Sequence, residues 1–121
     1  MEENVLSILP ILPVKRTVLF PGVMMPLTIG RERSVAAVNA AMKTEEKTII
    51  VVAQRDPQTE EPGLADLYAI GTKATIKQIG QASEGAIHAL VQGLDRVVLL
   101  KEEQSAPYST VRVRTLGRPS D

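Results

Sequence analysis

The clearest pattern lies in the second half of the chain. Over residues 68–79, small or apolar positions roughly alternate with polar ones, the period of a half-buried strand. Gly71 interrupts the alternation and marks an expected bulge. Residues 81–85 read as a turn, and residues 86–91 return as a strand. The spacing therefore predicts an antiparallel hairpin in which Gly85 supplies a positive φ. Gly93-Leu94-Asp95-Arg96 predicts a bend or bulge before a strand over 97–100. In residues 108–116, Val111, Val113 and Thr115 alternate with Arg112 and Arg114, a last half-exposed strand.

The first half is less regular. Residues 8–14 predict a strand, and Pro10 and Pro13 place it at a sheet edge because proline cannot donate to a ladder. Residues 16–22 read as a short extended piece ending in a Pro21-Gly22 turn, followed by a strand over 23–29 that contains Pro26. Residues 31–43 predict the one helix: Val35, Val38 and Met42 recur at helical spacing among strong helix formers, Ala36, Ala37, Ala40 and Ala41. Residues 48–53 are apolar and β-branched throughout, as in a strand buried on both faces. Pro57, Pro62, Gly63 and three carboxylates make residues 55–65 a solvated loop. The sum is an α+β class, mostly β fold: about six strands in a small, partly closed β-barrel with one helix near residues 31–43.

Composition narrows the function classes. The chain of 121 residues is 44% hydrophobic but only 2% aromatic, so its core must be built from Val, Ile, Leu and Ala. Phe20, Tyr68 and Tyr108 are too few to form a stacking platform for bases. Fourteen basic residues against fourteen acidic ones leave a net charge of zero, which argues against nucleic acid as a partner. The absence of cysteine excludes disulfides, thiolate metal sites and cysteine nucleophiles, and fits a cytoplasmic location. With a single histidine, His88, on the strand face opposite Ile87, Ala89 and Val91, no metal role is expected. There is no phosphate-cradling glycine loop and no nucleophile elbow. Glu45-Glu46, Glu60-Glu61 and Glu102-Glu103 are sequence neighbours whose side chains diverge, so they make poor acid/base pairs. Arg112 and Arg114 share a strand face and could touch phosphate, but a solvated face is the favoured reading. The acidic start, Met1-Glu2-Glu3-Asn4, does not resemble a signal peptide, and no stretch approaches the ~18 apolar residues of a membrane helix. A soluble intracellular protein with no membrane partner is expected.

Four segments together resemble the N-terminal domain of the Lon ATP-dependent proteases. Residues 11–22, Ile-Leu-Pro-Val-Lys-Arg-Thr-Val-Leu-Phe-Pro-Gly, are similar to that family's opening LPLRDxVxFPG stretch, from which Lys15-Arg16-Thr17 departs. Residues 25–34 are similar to its PLxVGRexS stretch, Glu61-Pro62-Gly63 with residues 66–72 to its xPxxxDLYxxGT stretch, and residues 90–96 to its LVEGLxRa stretch. The resemblance implies a PUA-like domain over residues 8–116, preceded by a flexible N-terminus (1–7) and followed by the start of a linker (117–121). It also implies a parent protein with a helical region, an ATPase module and a protease module with a Ser-Lys dyad. None of these is present in this chain, so no catalytic residue, cofactor or metal is expected here, while ATP and Mg are expected for the parent.

On that resemblance the expected role is non-catalytic: recognition of unfolded, damaged or degron-bearing polypeptides, and contact with other subunits of a parent oligomer, a homohexamer. The candidate substrate surface is Leu19, Phe20, Met24 and Met25, which set the only phenylalanine and two adaptable methionines beside a Pro-Gly turn. The competing reading is that these side chains fill the core. Arg31, Glu32 and Arg33 are the candidate assembly residues, through ion pairs between subunits. The alternative function is a stand-alone PUA-like module binding RNA or a protein partner.

Overall fold

In the computed structural model, which describes residues 6–15, 18–59, 63–82, 85–104 and 107–116, the most apolar segment lies in the middle of the sheet. Strand β1 spans Leu6–Val14, β2 Met24–Ile29, β3 Thr48–Ala53, β4 Ile70–Gln81, β5 Ile87–Gln104 and β6 Thr110–Thr115; helix α1 is Glu32–Met42. The strand order is β2-β5-β4-β3-β1-β6, with a further pairing of β5 to β6. Hydrogen-bonded pairing therefore runs from β1 through β3, β4, β5 and β6 and back to β1, and β2 adds to the first half of β5. This is the mostly-β, partly closed sheet with one helix that the strand periods predict.

The two-sided burial of β3 has a concrete cause. Ile49 and Val51 join a core with Ala37, Val38 and Ala41 of α1 and Val91 of β5. Ile50 and Val52 point the other way, into a second core with Val97, Leu99, Val111 and Val113. Each such side chain contributes about 1.5–3 kcal/mol of burial, so the strand is anchored from both sides.

Strand β5 serves both cores. Ile87, Ala89 and Val91 enter the first, and Val97 and Leu99 enter the second. All five numbers are odd, so an unbroken strand would send them to one face. The break lies where Lys73 pairs with Asp95 but Ala74 pairs with Gly93, which leaves Leu94 as an extra residue and flips the face. The irregularity expected at residues 93–96 is this bulge.

Gly71 behaves differently from its expectation. Ile70, Gly71 and Thr72 pair with Val98, Val97 and Arg96 without interruption, so there is no bulge there. A Cβ at Gly71 would lie 3.1 Å from both the Val51 carbonyl oxygen and the Val52 Cβ, a tight contact; the glycine accommodates the close approach of β3. The second break in β4 falls instead between Ile76 and Gln78.

The edge placement of β1 also needs correction, because the strand lies between β3 and β6. However, Leu6–Pro10 pair with β6 and Ile11–Val14 with β3. Each proline thus sits in a half-strand with one unladdered flank, where a missing N–H is tolerated. The β4–β5 hairpin is as expected, with Ile79 opposite Ala89, Gln81 opposite Ile87, and Gly85 at φ +83°. Its turn residues Ser83 and Glu84, like the expected flexible start and terminal linker, lie outside the described residues, apart from Leu6 and Ser7 of β1. The buried face of α1 is Ser34, Ala37, Val38 and Ala41, with Val35 and Met42 partly buried beside it. The helix is turned toward its alanines, and these small side chains allow it to lie close to β1 and β3.

Candidate functional site

The Leu19–Met25 segment is shaped by backbone contacts from a distant part of the chain. Val23 N–H donates to the Phe20 carbonyl at 3.1 Å, and Gly22 has φ +84°, the geometry of a type II turn with Pro21 and Gly22 in its central positions. The turn is clamped onto the β5 bulge: Gly22 N–H donates to the Gly93 carbonyl at 2.8 Å, and Gly93 N–H donates to the Val23 carbonyl at 2.9 Å. A Cβ on Gly93 would come within 2.4 Å of the Phe20 carbonyl oxygen, so only glycine admits this approach. From β4, the Thr72 hydroxyl donates to the Leu19 carbonyl at 2.6 Å. Arg96 Nη1 in turn donates to Thr72 Oγ1 at 3.0 Å, and its guanidinium carbon stands 5.1 Å from the centre of the Phe20 ring.

The clamp sorts the four residues singled out above. Leu19 is 2% exposed and belongs to the first core, and Met25 is half-buried against it. Phe20 and Met24 face outward at 54% and 48% exposure, accompanied by exposed Val18 and Val23. Beside them runs a groove of about 430 Å³ whose lining includes Val18, Val52, Tyr68, Ile70 and Arg96. Tyr68 is 49% exposed, with the Arg55 guanidinium carbon 5.2 Å from its ring centre. Arg55 Nε donates to the Leu67 carbonyl at 3.1 Å. Tyr68, Ile70, Arg55 and Arg96 were not among the predicted site residues. The scarcity of aromatics was the available signal, since two of the three exposed or half-exposed rings carry an arginine.

The start of α1 is directed inward. Arg31 Nη2 donates to the Gln54 side-chain oxygen, and Gln54 Nε2 donates to the carbonyls of Asp56 and Thr59 at 3.0 and 2.8 Å. Arg33 Nη2 donates to Ser109 Oγ at 2.7 Å, whose hydroxyl donates to Glu102 at 3.1 Å. Glu32 is exposed. Two of the three candidate assembly residues are therefore engaged within the chain. Arg112 makes a 2.9 Å ion pair with Glu103. His88 is exposed, its Nδ1 3.2 Å from the Thr28 hydroxyl. Among the described residues no cluster of three or more His, Cys, Asp or Glu could hold a metal ion, and no helix is long and apolar enough to cross a membrane.

Comparison with known proteins decides the family. Residues 8–121 match the family described as the ATP-dependent protease La (LON) substrate-binding domain. The chain belongs to that family. The Lon protease of Nitrosococcus oceani is 46% identical over 121 residues, all of this chain and 15% of the relative. The Lon protease of Escherichia coli K12 is 34% identical over 93% of this chain and 14% of the relative. The chain thus spans about 15% of the length of its curated Lon relatives. The fold matches the Lon N-terminal domain protein from Xanthomonas campestris with a TM-score of 0.70, at 20% identity, covering 95% of this chain and 63% of that one. It matches the N-terminal domain of Mycobacterium avium complex Lon protease with a TM-score of 0.68, at 23% identity, covering 95% and 56%. The Lon N-terminal fold is thereby shared, and the clamped turn falls inside the matched residues.

Proposed function

We propose that this Lon-type domain is the recognition module of an ATP-dependent protease, and that Phe20 and Met24, flanked by Val18 and Val23, contact apolar segments of unfolded or degron-bearing polypeptides. The observation that carries this reading is the exposure of the only phenylalanine in the chain, at 54%, on a turn held by two backbone bonds to Gly93. A ring held in place loses little freedom on binding, and methionine adapts to varied partners. Leu19, being core, contributes by anchoring the turn.

The affinity of one copy is low. An apolar patch of ~400 Å² supplies roughly 10 kcal/mol gross, and association costs of ~4–15 kcal/mol cancel most of it. Several copies on a parent ring raise it by avidity. In that parent, ATP and Mg drive delivery to a Ser-Lys protease module in the cytoplasm, and subunits assemble as a hexamer. Exposed Glu32 is the member of the Arg31-Glu32-Arg33 run best placed for a contact between subunits, worth ~0–1 kcal/mol as a surface pair.

The test is fluorescence anisotropy with a labelled, permanently unfolded polypeptide. Phe20→Ser combined with Met24→Ser is expected to weaken binding about fivefold or more while leaving the melting temperature nearly unchanged, since both side chains are largely exposed. Unchanged binding by the folded double variant overturns the reading.

A further inference from the structure

The ring of strands is not closed along its whole length. Strand β6 covers β1 as far as Ile11, whose N–H donates to the Ser109 carbonyl at 3.0 Å, and it covers β5 from Val97 onward. Earlier in β5 its flank is taken by β2, and among the described residues no strand pairs with the matching flank of β1 after Ile11. The end of β1 and the outer side of β2 line one groove of about 630 Å³, with residues 12–15 on one wall and residues 26–30 on the other. Successive rather than alternate residues line it, so it is the edges of the two strands that meet the groove. The edge of β2 can be read group by group. Gly93 N–H donates to the Val23 carbonyl, so Val23 turns its main chain toward β5. Alternation gives Met25, Leu27 and Ile29 the same orientation and turns the main-chain groups of Met24, Pro26 and Thr28 away from β5. Pro26 fits this pattern, because its missing N–H falls on the side where no ladder bond is lost. The Thr28 N–H and the carbonyls of Pro26 and Thr28 are left at the groove.

Resting on the reading that this domain takes unfolded polypeptide, we propose that an extended segment of such a chain adds along the free edge of β2, held by main-chain hydrogen bonds to Thr28 and Pro26. The chemistry favours this occupant. An unfolded chain carries a donor and an acceptor at nearly every residue, so a strand edge takes it whatever its sequence. A second copy of this domain fits less well: the end of β1 walls the edge in, and Pro26 cannot donate to a facing strand. The edge is also continuous with the apolar turn. β2 begins at exposed Met24 and spans about 20 Å over its six residues, so a segment whose apolar side chains meet Phe20 and Met24 runs on along the strand.

The experiment is residue-resolved amide hydrogen exchange on the full chain, free and saturated with a permanently unfolded peptide. The Thr28 amide is expected to exchange fast in the free chain and to slow about tenfold or more when the peptide is bound. The amides of Leu27 and Ile29, already turned to β5, should change little. A second peptide of identical side chains, N-methylated at its central amides, keeps the apolar groups but loses main-chain donors; it is expected to bind about fivefold or more weakly. If the peptide binds, and Phe20→Ser weakens it, but Thr28 exchange is unchanged, the proposal is overturned and the apolar surface stands. Equal binding of the N-methylated peptide also overturns it. Slowing of Thr28 that grows with protein concentration in the absence of peptide assigns the edge to a second copy and overturns it as well. Binding that slows Thr28 but is insensitive to Phe20→Ser with Met24→Ser is a separate result: the edge then stands and the apolar turn falls.

Discussion

At the Leu19–Met25 turn the restraint is carried by backbone: Gly93 accepts from the Gly22 N–H and donates to the Val23 carbonyl, and Thr72 holds the Leu19 carbonyl. At the start of α1 it is carried by side chains, with Arg31 held by Gln54 and Arg33 by Ser109. The consequences are opposite. Where backbone does the holding, Phe20 and Met24 remain outside and available. Where guanidinium groups do the holding, the charges most conspicuous in the sequence are used up inside the chain. A surface meant for contact needs its restraint placed in atoms other than those that make the contact.

The largest test of this difference is Gly93→Ala. The added Cβ would meet the Phe20 carbonyl oxygen at 2.4 Å, and backbone rather than a flexible side chain must yield. A cost of about 2–3 kcal/mol is expected, read as a fall in melting temperature of roughly 10 °C or more. Binding of unfolded polypeptide should fall with it, because the ring loses its clamp. Gly80→Ala is the control: nothing lies within 4 Å of its Cβ position and its φ is not in the left-handed region, so the variant should melt within a few degrees of the parent chain. Equal behaviour of the two variants would show that the clamp is not what orders the turn.

Arg33→Ala probes the other side. Losing the 2.7 Å bond to Ser109, and with it the link to Glu102, should cost about 1 kcal/mol in thermal or chemical unfolding. Polypeptide binding should not change, since none of these groups touches Phe20 or the groove. A drop in binding without a drop in stability would return the helix start to the list of contact residues.

The two glycines also show what could be read from the chain and what could not. Local period sufficed for the half-buried strands, the β4–β5 hairpin and the two-sided burial of β3, because each depends on residues close in sequence. Gly71 and Gly93 present the same local signal, a lone glycine in a strand pattern, which means either a bulge or a close approach. Gly71 is a close approach by β3, and Gly93 is a close approach by the Phe20 turn beside a bulge at Leu94. Only the long-range pairing separates the cases. The groove was hidden for the same reason: it joins Val18 and Val52 to Tyr68, Ile70, Thr72 and Arg96, and no short window contains them all. The Phe20–Met24 cluster was visible because its members are neighbours. Its division into core and surface was not, because that is set by the contact with Gly93.

The smallest effect is the most discriminating. Met24 and Met25 are adjacent on β2, an outermost strand, and alternation sends them to opposite faces. Met25 packs against the first core, while Met24 is 48% exposed. Met25→Ser removes a half-buried apolar side chain and should cost about 1 kcal/mol, with polypeptide binding intact well below the melting point. Met24→Ser should shift stability by no more than about 0.5 kcal/mol, as surface substitutions do, yet weaken binding by about twofold or more. Identical chemistry at neighbouring positions thus separates packing from contact without disturbing the clamp. If both variants lose stability and neither loses binding, β2 is only a cover for the core, and the contact surface contracts to Phe20 and the groove beside it.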